Sequence, residues 1–230
     1  MQVTVISQPS VFFMRPNVPS RTGPKRLLTR RHILAGAALL IATWLNGEGR
    51  AQESEGDQKV WNAGAYSFSD ELGGFRITSV SGTGTREDPI VIQEELASSS
   101  PVTLTIRTIR PIRPFDNSGF YANGILFMRI EALNNSGQAW VEFEFELQEI
   151  EGKASVFGDG LSFDQRRTDN VNITSDSFAE YSRDFEPYDR LRYTDGKVDP
   201  RETAGFSFLV TDYTPRWRFY LVQDPRIPSS

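Results

Sequence analysis

From Phe75 onward the chain alternates apolar and polar side chains with a period of two. Successive strand side chains point to opposite faces, so this alternation predicts strands with one buried and one solvated face. The clearest runs are residues 75–80, 89–93, 102–108, 125–133, 140–150, 188–193, 204–210 and 217–223. Turn chemistry separates them. Gly82 and Gly84 follow the first run, and Asp88-Pro89, Asp199-Pro200 and Asp224-Pro225 mark turns or strand starts. Asn134-Asn135-Ser136-Gly137 predicts an antiparallel hairpin between residues 125–133 and 140–150. After residue 58 no stretch carries the 3.6-residue period of a helix ten residues long. Residues 60–230 therefore predict one all-β domain, a single antiparallel β-sandwich or jelly roll.

The first fifty residues follow another pattern. Ile33 to Leu45 holds thirteen residues without a charge, shorter than the ~20 a spanning helix needs. Arg15, Arg21, Lys25, Arg26, Arg30 and Arg31 precede it, and Gly49-Arg50-Ala51 offers small residues at a cleavage site. Residues 1–51 thus read as a signal peptide with a long polar leader, and 52–59 as a disordered, acidic lead-in. No permanent membrane span is expected, and the mature chain is expected in the periplasm or outside the cell. Thr29-Arg30-Arg31-His32-Ile33-Leu34 resembles the twin-arginine export signal, a pattern covering about 23 residues through Ala51. The Lys usual after the apolar pair is Ala35 here. The resemblance implies the twin-arginine translocase as a partner, with Arg30 and Arg31 as the residues it reads.

Composition then narrows the chemistry. The 230 residues carry 25 Lys+Arg against 30 Asp+Glu, no cysteine and one histidine, His32. Cleavage after Ala51 removes seven basic residues, one acidic residue and that histidine, leaving 18 basic and 29 acidic side chains, a formal charge of −11. Without His or Cys the mature chain has no Ser-His-Asp or Cys-His mechanism, and no imidazole or thiolate for zinc, haem or a cluster. Its charge opposes sequence-independent nucleic-acid binding. Carboxylate chemistry, oxygen ligation of a hard cation, and binding without chemistry remain. A non-catalytic module is the leading expectation.

Four stretches are candidates for function. Val141 to Gln148 alternates so that Glu142, Glu144 and Glu146 share a face, about 6.5–7 Å apart at i, i+2. This spacing lies at the short end of the inverting-glycosidase range. The run resembles the Glu-x-Asp-x-Glu strand of jelly-roll β-glucanases, which implies Glu142 as nucleophile and Glu146 as acid/base, with Glu144 in place of the central Asp. The alternative is a solvated outer face.

Gly158-Asp159-Gly160-Leu161-Ser162-Phe163 resembles the Asp-Gly-(Leu/Ile)-Ala-Phe segment of L-type lectins, over residues 141–165. The resemblance implies a sugar-binding Asp159, although the family's apolar continuation and its Val-Glu-Phe-Asp metal motif are missing downstream. A tight turn into a buried strand is the other reading. Asp169, Asp176, Glu180, Asp184, Glu186, Asp189, Asp195 and Asp199 form acidic loops. They lack calcium-loop spacing, so no cofactor is expected, with Ca²⁺ the one ion their oxygen ligands would suit.

Arg107, Arg110 and Arg113 recur every third residue, as on one side of a polyproline II turn. This basic ridge would hold an anionic sugar, a partner carboxylate, or the Glu142–Glu146 face of the same chain. Three functions follow from these features: a carbohydrate- or envelope-binding module, a structural assembly partner in the periplasm, and a carboxylate-dependent glycosidase.

Overall fold

The computed structural model describes residues 59–165, 171–184 and 187–228. Arg30, Arg31, Asp169 and Glu186 lie outside them. Among the described residues thirteen strands form two facing sheets. In chain order they are β1 (Trp61–Ala63), β2 (Tyr66–Ser69), β3 (Phe75–Ser81), β4 (Ile90–Leu96), β5 (Val102–Thr108), β6 (Ile125–Asn134) and β7 (Glu142–Gln148). Then follow β8 (Leu161–Phe163), β9 (Thr174–Ser175), β10 (Phe178–Asp184), β11 (Arg190–Gly196), β12 (Thr203–Asp212) and β13 (Arg218–Arg226). The seven-stranded sheet runs β1-β2-β5-β13-β7-β11-β10, and the other runs β3-β4-β6-β12-β8, with β9 also on β12. The all-β sandwich is as expected. Among the described residues the one helical element is a 3-10 turn, Phe157–Asp159, and no helix there is long and apolar enough to cross a membrane.

The alternation explains why these strands form. On β6, Leu126, Met128, Ile130 and Ala132 are buried while Ile125, Phe127, Arg129 and Glu131 lie on the outer side. On β7, Phe143, Phe145 and Leu147 are fully buried. They meet β12 across the core, with Phe143 4.6 Å from Phe206 and Phe145 5.0 Å from Phe208, ring centre to ring centre. Such tilted aromatic contacts each add roughly 0.5–1.5 kcal/mol beyond the area they bury.

Two expectations about connectivity are corrected. β6 and β7 do not form a hairpin, because they belong to opposite sheets. The Asn134–Gly137 turn carries the chain across the sandwich instead. Asn134 anchors the crossing: its Nδ2 donates to the carbonyls of Gln138 and Val198 at 2.8 and 3.0 Å. Nor is every pair antiparallel. The chain leaves β4 for β5 in the other sheet and returns as β6, which therefore runs parallel to β4. Pro225, expected at a turn or a strand start, lies inside β13. It pairs opposite Phe143 at a point where the β5 ladder has already ended at Gln223–Val102, so one flank of β13 needs no donor.

Polar side chains also join the sheets. Gln223 Nε2 (β13) donates to Glu94 Oε2 (β4) at 3.0 Å, both residues fully or almost fully buried. Ser162 Oγ (β8) donates to Asp189 Oδ1, before β11, at 2.6 Å. Burial pushes the Glu94 carboxyl up to about 8 and that of Asp189 up to about 7.

Candidate functional site

The Glu142, Glu144 and Glu146 side chains lie on the face of β7 turned away from the core, but this face is not freely solvated: Glu144 is buried and the other two are partly covered. Their partners come from neighbouring strands. Arg190 is registered opposite Glu146 and bonds it at 2.6 Å. Arg192 reaches diagonally to Glu142 at 2.7 Å, and Arg226 reaches to Glu144 at 3.0 Å. Each carboxylate is thus held by a guanidinium on a sheet face, an arrangement that gives cross-strand cohesion. The expected pairing of this face with Arg107, Arg110 and Arg113 is incorrect. Arg107 bonds Glu71 and holds that carboxyl below its ordinary value. Arg110 donates to the Gly119 carbonyl, and Arg113 pairs with Asp116 at 3.4 Å while stacking over Tyr121. The ridge breaks up because Arg107 belongs to β5, whereas the other two lie in the loop after it.

Asp159 sits in the 3-10 turn. Its Oδ2 accepts from the Val156 N–H and its Oδ1 from the Leu161 N–H, both at 3.0 Å. Gly160 then turns at φ +92°, and a Cβ there would stand 2.6 Å from Thr214 Oγ1. The Asp-Gly pair therefore shapes the turn into β8. The acidic loops are similarly engaged: Asp176 pairs with Arg129, Asp199 with Lys197, and Asp189 with Ser162. Among the described residues no three acidic side chains converge as a metal-holding group.

One concavity was not anticipated. A cleft of about 940 Å³ opens where three connections meet the start of β6: the β1–β2 turn, the β3–β4 loop and the long β5–β6 loop. Each wall is internally braced. In the β3–β4 loop the N–H groups of Thr83, Gly84 and Thr85 all donate to the Asp88 carbonyl at 2.9–3.2 Å. Gly84 turns at φ +86°, and a Cβ there would strike Leu126 Cδ1 at 2.7 Å. Arg86 and Glu87 are thereby held at a fixed tip, with the Arg86 guanidinium 5.1 Å above the Phe127 ring.

The β5–β6 loop is braced by bonds from Arg113 N–H to the Ala122 carbonyl and from Ala122 N–H to the Pro111 carbonyl, both at 3.0 Å. Asp116 accepts from the Ser118 hydroxyl and N–H, which hold its carboxyl below the usual range. Tyr66 stands at the base, where its hydroxyl accepts from Gly124 N–H at 3.4 Å. Burial pushes its phenol up to about 12, so it stays protonated.

The lining combines half-exposed aromatic rings (Tyr121, Phe127), amides (Asn117, Asn123), hydroxyls (Thr83, Thr85, Ser118) and two guanidiniums, Arg86 and Arg110. Such a surface can stack on a pyranose face and exchange hydrogen bonds with its hydroxyls. Of the expected ligand-binding residues, Arg110 lines this cleft, Arg113 braces Tyr121 beside it, and Arg107 and Asp159 are committed elsewhere. Comparison with known families and with curated proteins finds no match to this chain.

Proposed function

We propose that this chain is exported by the twin-arginine route and acts in the periplasm or outside the cell as a non-catalytic β-sandwich that binds a glycan of the cell envelope. The observation that carries this reading is the braced cleft of about 940 Å³, with aromatic rings and amides on its walls. A rigid site loses little loop entropy on binding, which favours recognition of a flexible saccharide. A glycosidase is less favoured, because Glu142, Glu144 and Glu146 are each held by an arginine on a sheet face. A glycan array on the purified protein, with and without Ca²⁺, tests the binding reading, and a blank array refutes it. For export, replacing Arg30 and Arg31 by Lys is expected to leave the protein in the cytoplasm. Normal export of that variant refutes the route.

The assembly-partner reading has one observation in its favour. Phe115, Phe120 and Trp217 are 55%, 75% and 59% exposed near the same end of the sandwich. Saturable, ring-dependent binding to an envelope protein, together with a blank array, would select it.

A further inference from the structure

We propose that the cleft selects a carboxylated saccharide, an oligouronate, rather than a neutral one. This deepens the glycan-binding reading and rests on it. The domain is acidic, and its arginines on the sheet faces are largely taken up by carboxylates, as at Arg76, Arg107, Arg129, Arg190, Arg192 and Arg226. Arg86 and Arg110 differ. Among the described residues neither has a carboxylate partner, yet both line the same cleft from separate loops.

Arg86 rests on the Phe127 ring, which covers one face of the guanidinium and leaves its edge to donate. Arg110 spends a donor on the Gly119 carbonyl, which fixes its direction. A guanidinium presents five donors in a planar fork that matches the two oxygens of a carboxylate. Glu87, on the same loop tip as Arg86, also lines the cleft. It opposes a second negative charge near that tip and is suited to accept from sugar hydroxyls.

The parts of the Tyr121 and Phe127 rings not covered by Arg113 and Arg86 supply apolar surface for the C–H side of a pyranose, a contact a lone anion cannot exploit. The acidic surface beyond the cleft repels an extended polyanion. The fitting ligand is therefore short, combining ring stacking with one carboxylate within reach of the arginines.

Isothermal titration of the purified protein with tri-galacturonate and with its methyl ester tests this, since the two share every sugar contact and differ in charge. The free acid is expected to bind at least tenfold more tightly. Arg86→Gln and Arg110→Gln should each remove most of that preference, and Arg86→Gln should do so without changing the melting temperature. Arg86→Gln serves as the cleaner variant because Arg110 also braces its loop.

Equal binding of acid and ester overturns the proposal while leaving glycan binding intact. So does binding of a neutral glycan from the array when tri-galacturonate does not bind. Displacement of the trisaccharide by acetate or inorganic phosphate at matched ionic strength overturns it as well, because it would reduce the site to an anion sink. No binding of any glycan overturns both readings.

Discussion

Glu94 gives the sharpest test of the sandwich itself. Its carboxyl is fully buried between the sheets and is pushed up to about 8, chiefly by desolvation, with the Gln223 amide opposing and Asp70 adding to the rise. In the unfolded chain a glutamate ionises near ~4.3. Between those values the folded protein keeps a proton that the unfolded chain releases. The stabilisation from that proton is complete below the unfolded value and is lost as pH rises through about 8. The gap corresponds to about 5 kcal/mol at most, a large part of the ~5–15 kcal/mol that holds a domain together.

The bonding fits a protonated acid. Glu94 Oε1 and Gln223 Oε1 are both buried without a partner among the described residues. A proton on Oε1 would close a two-bond acid–amide ring, giving each oxygen a partner. Glu94→Gln preserves a two-bond pairing as amide with amide but does not titrate. Urea denaturation of both proteins from about pH 5 to 9 is the assay. The variant is expected to match the parent within about 1 kcal/mol near pH 5 and to exceed it by about 2–4 kcal/mol near pH 9. Buried Asp189 and Asp212, raised to about 7 and about 6 by desolvation, leave a shared slope at lower pH. The portion above about pH 7.5 is therefore assigned to Glu94. Parallel curves for parent and variant across that range would refute the reasoning.

Other expectations concern the outer features. Asp159→Ala removes two acceptors from backbone N–H groups and should cost about 1–2 kcal/mol in thermal or urea denaturation, with glycan binding unchanged; lost binding at unchanged stability would return Asp159 to a ligand role. Arg192→Ala breaks a pair whose side chains are 41% and 29% exposed. It should cost no more than about 1 kcal/mol, less in high salt, and a loss above about 2 kcal/mol would show that the outer ladder is a cooperative network.

Strands with one wet and one dry face were legible in the sequence. β3, β5, β6, β7 and β12 each fall within two residues of the alternating runs that predict them, because their pleat separates core from solvent. β2 and β8 were not, since at four and three residues their alternation, Tyr66-Ser67-Phe68-Ser69 and Leu161-Ser162-Phe163, is too short to stand out. β10 carries mostly polar, exposed side chains. Local pattern also does not identify a strand's neighbours. The glutamates of β7 find Arg190 and Arg192 on β11 and Arg226 on β13, whereas the sequence drew attention to the nearer Arg107–Arg113. The cleft was harder to foresee because its walls come from three connections that share no motif. Its traces in the sequence are Gly82-Thr83-Gly84-Thr85, whose glycines were read only as a turn, and Asp116-Asn117-Ser118-Gly119.

The position of β13 has a consequence for synthesis. It is the last described strand, yet it stands at the centre of its sheet, between β5 and β7. Until residues through Arg226 have left the ribosome, β1-β2-β5 and β7-β11-β10 are two separate half-sheets with unpaired edges facing one another. The nascent domain must wait with those edges open, and closure then comes through pairings of long sequence separation, which are slow to form. A chain stopped before Arg218 would not be a slightly shortened sandwich. It would be two adhesive fragments on one polypeptide, poised to pair with other chains.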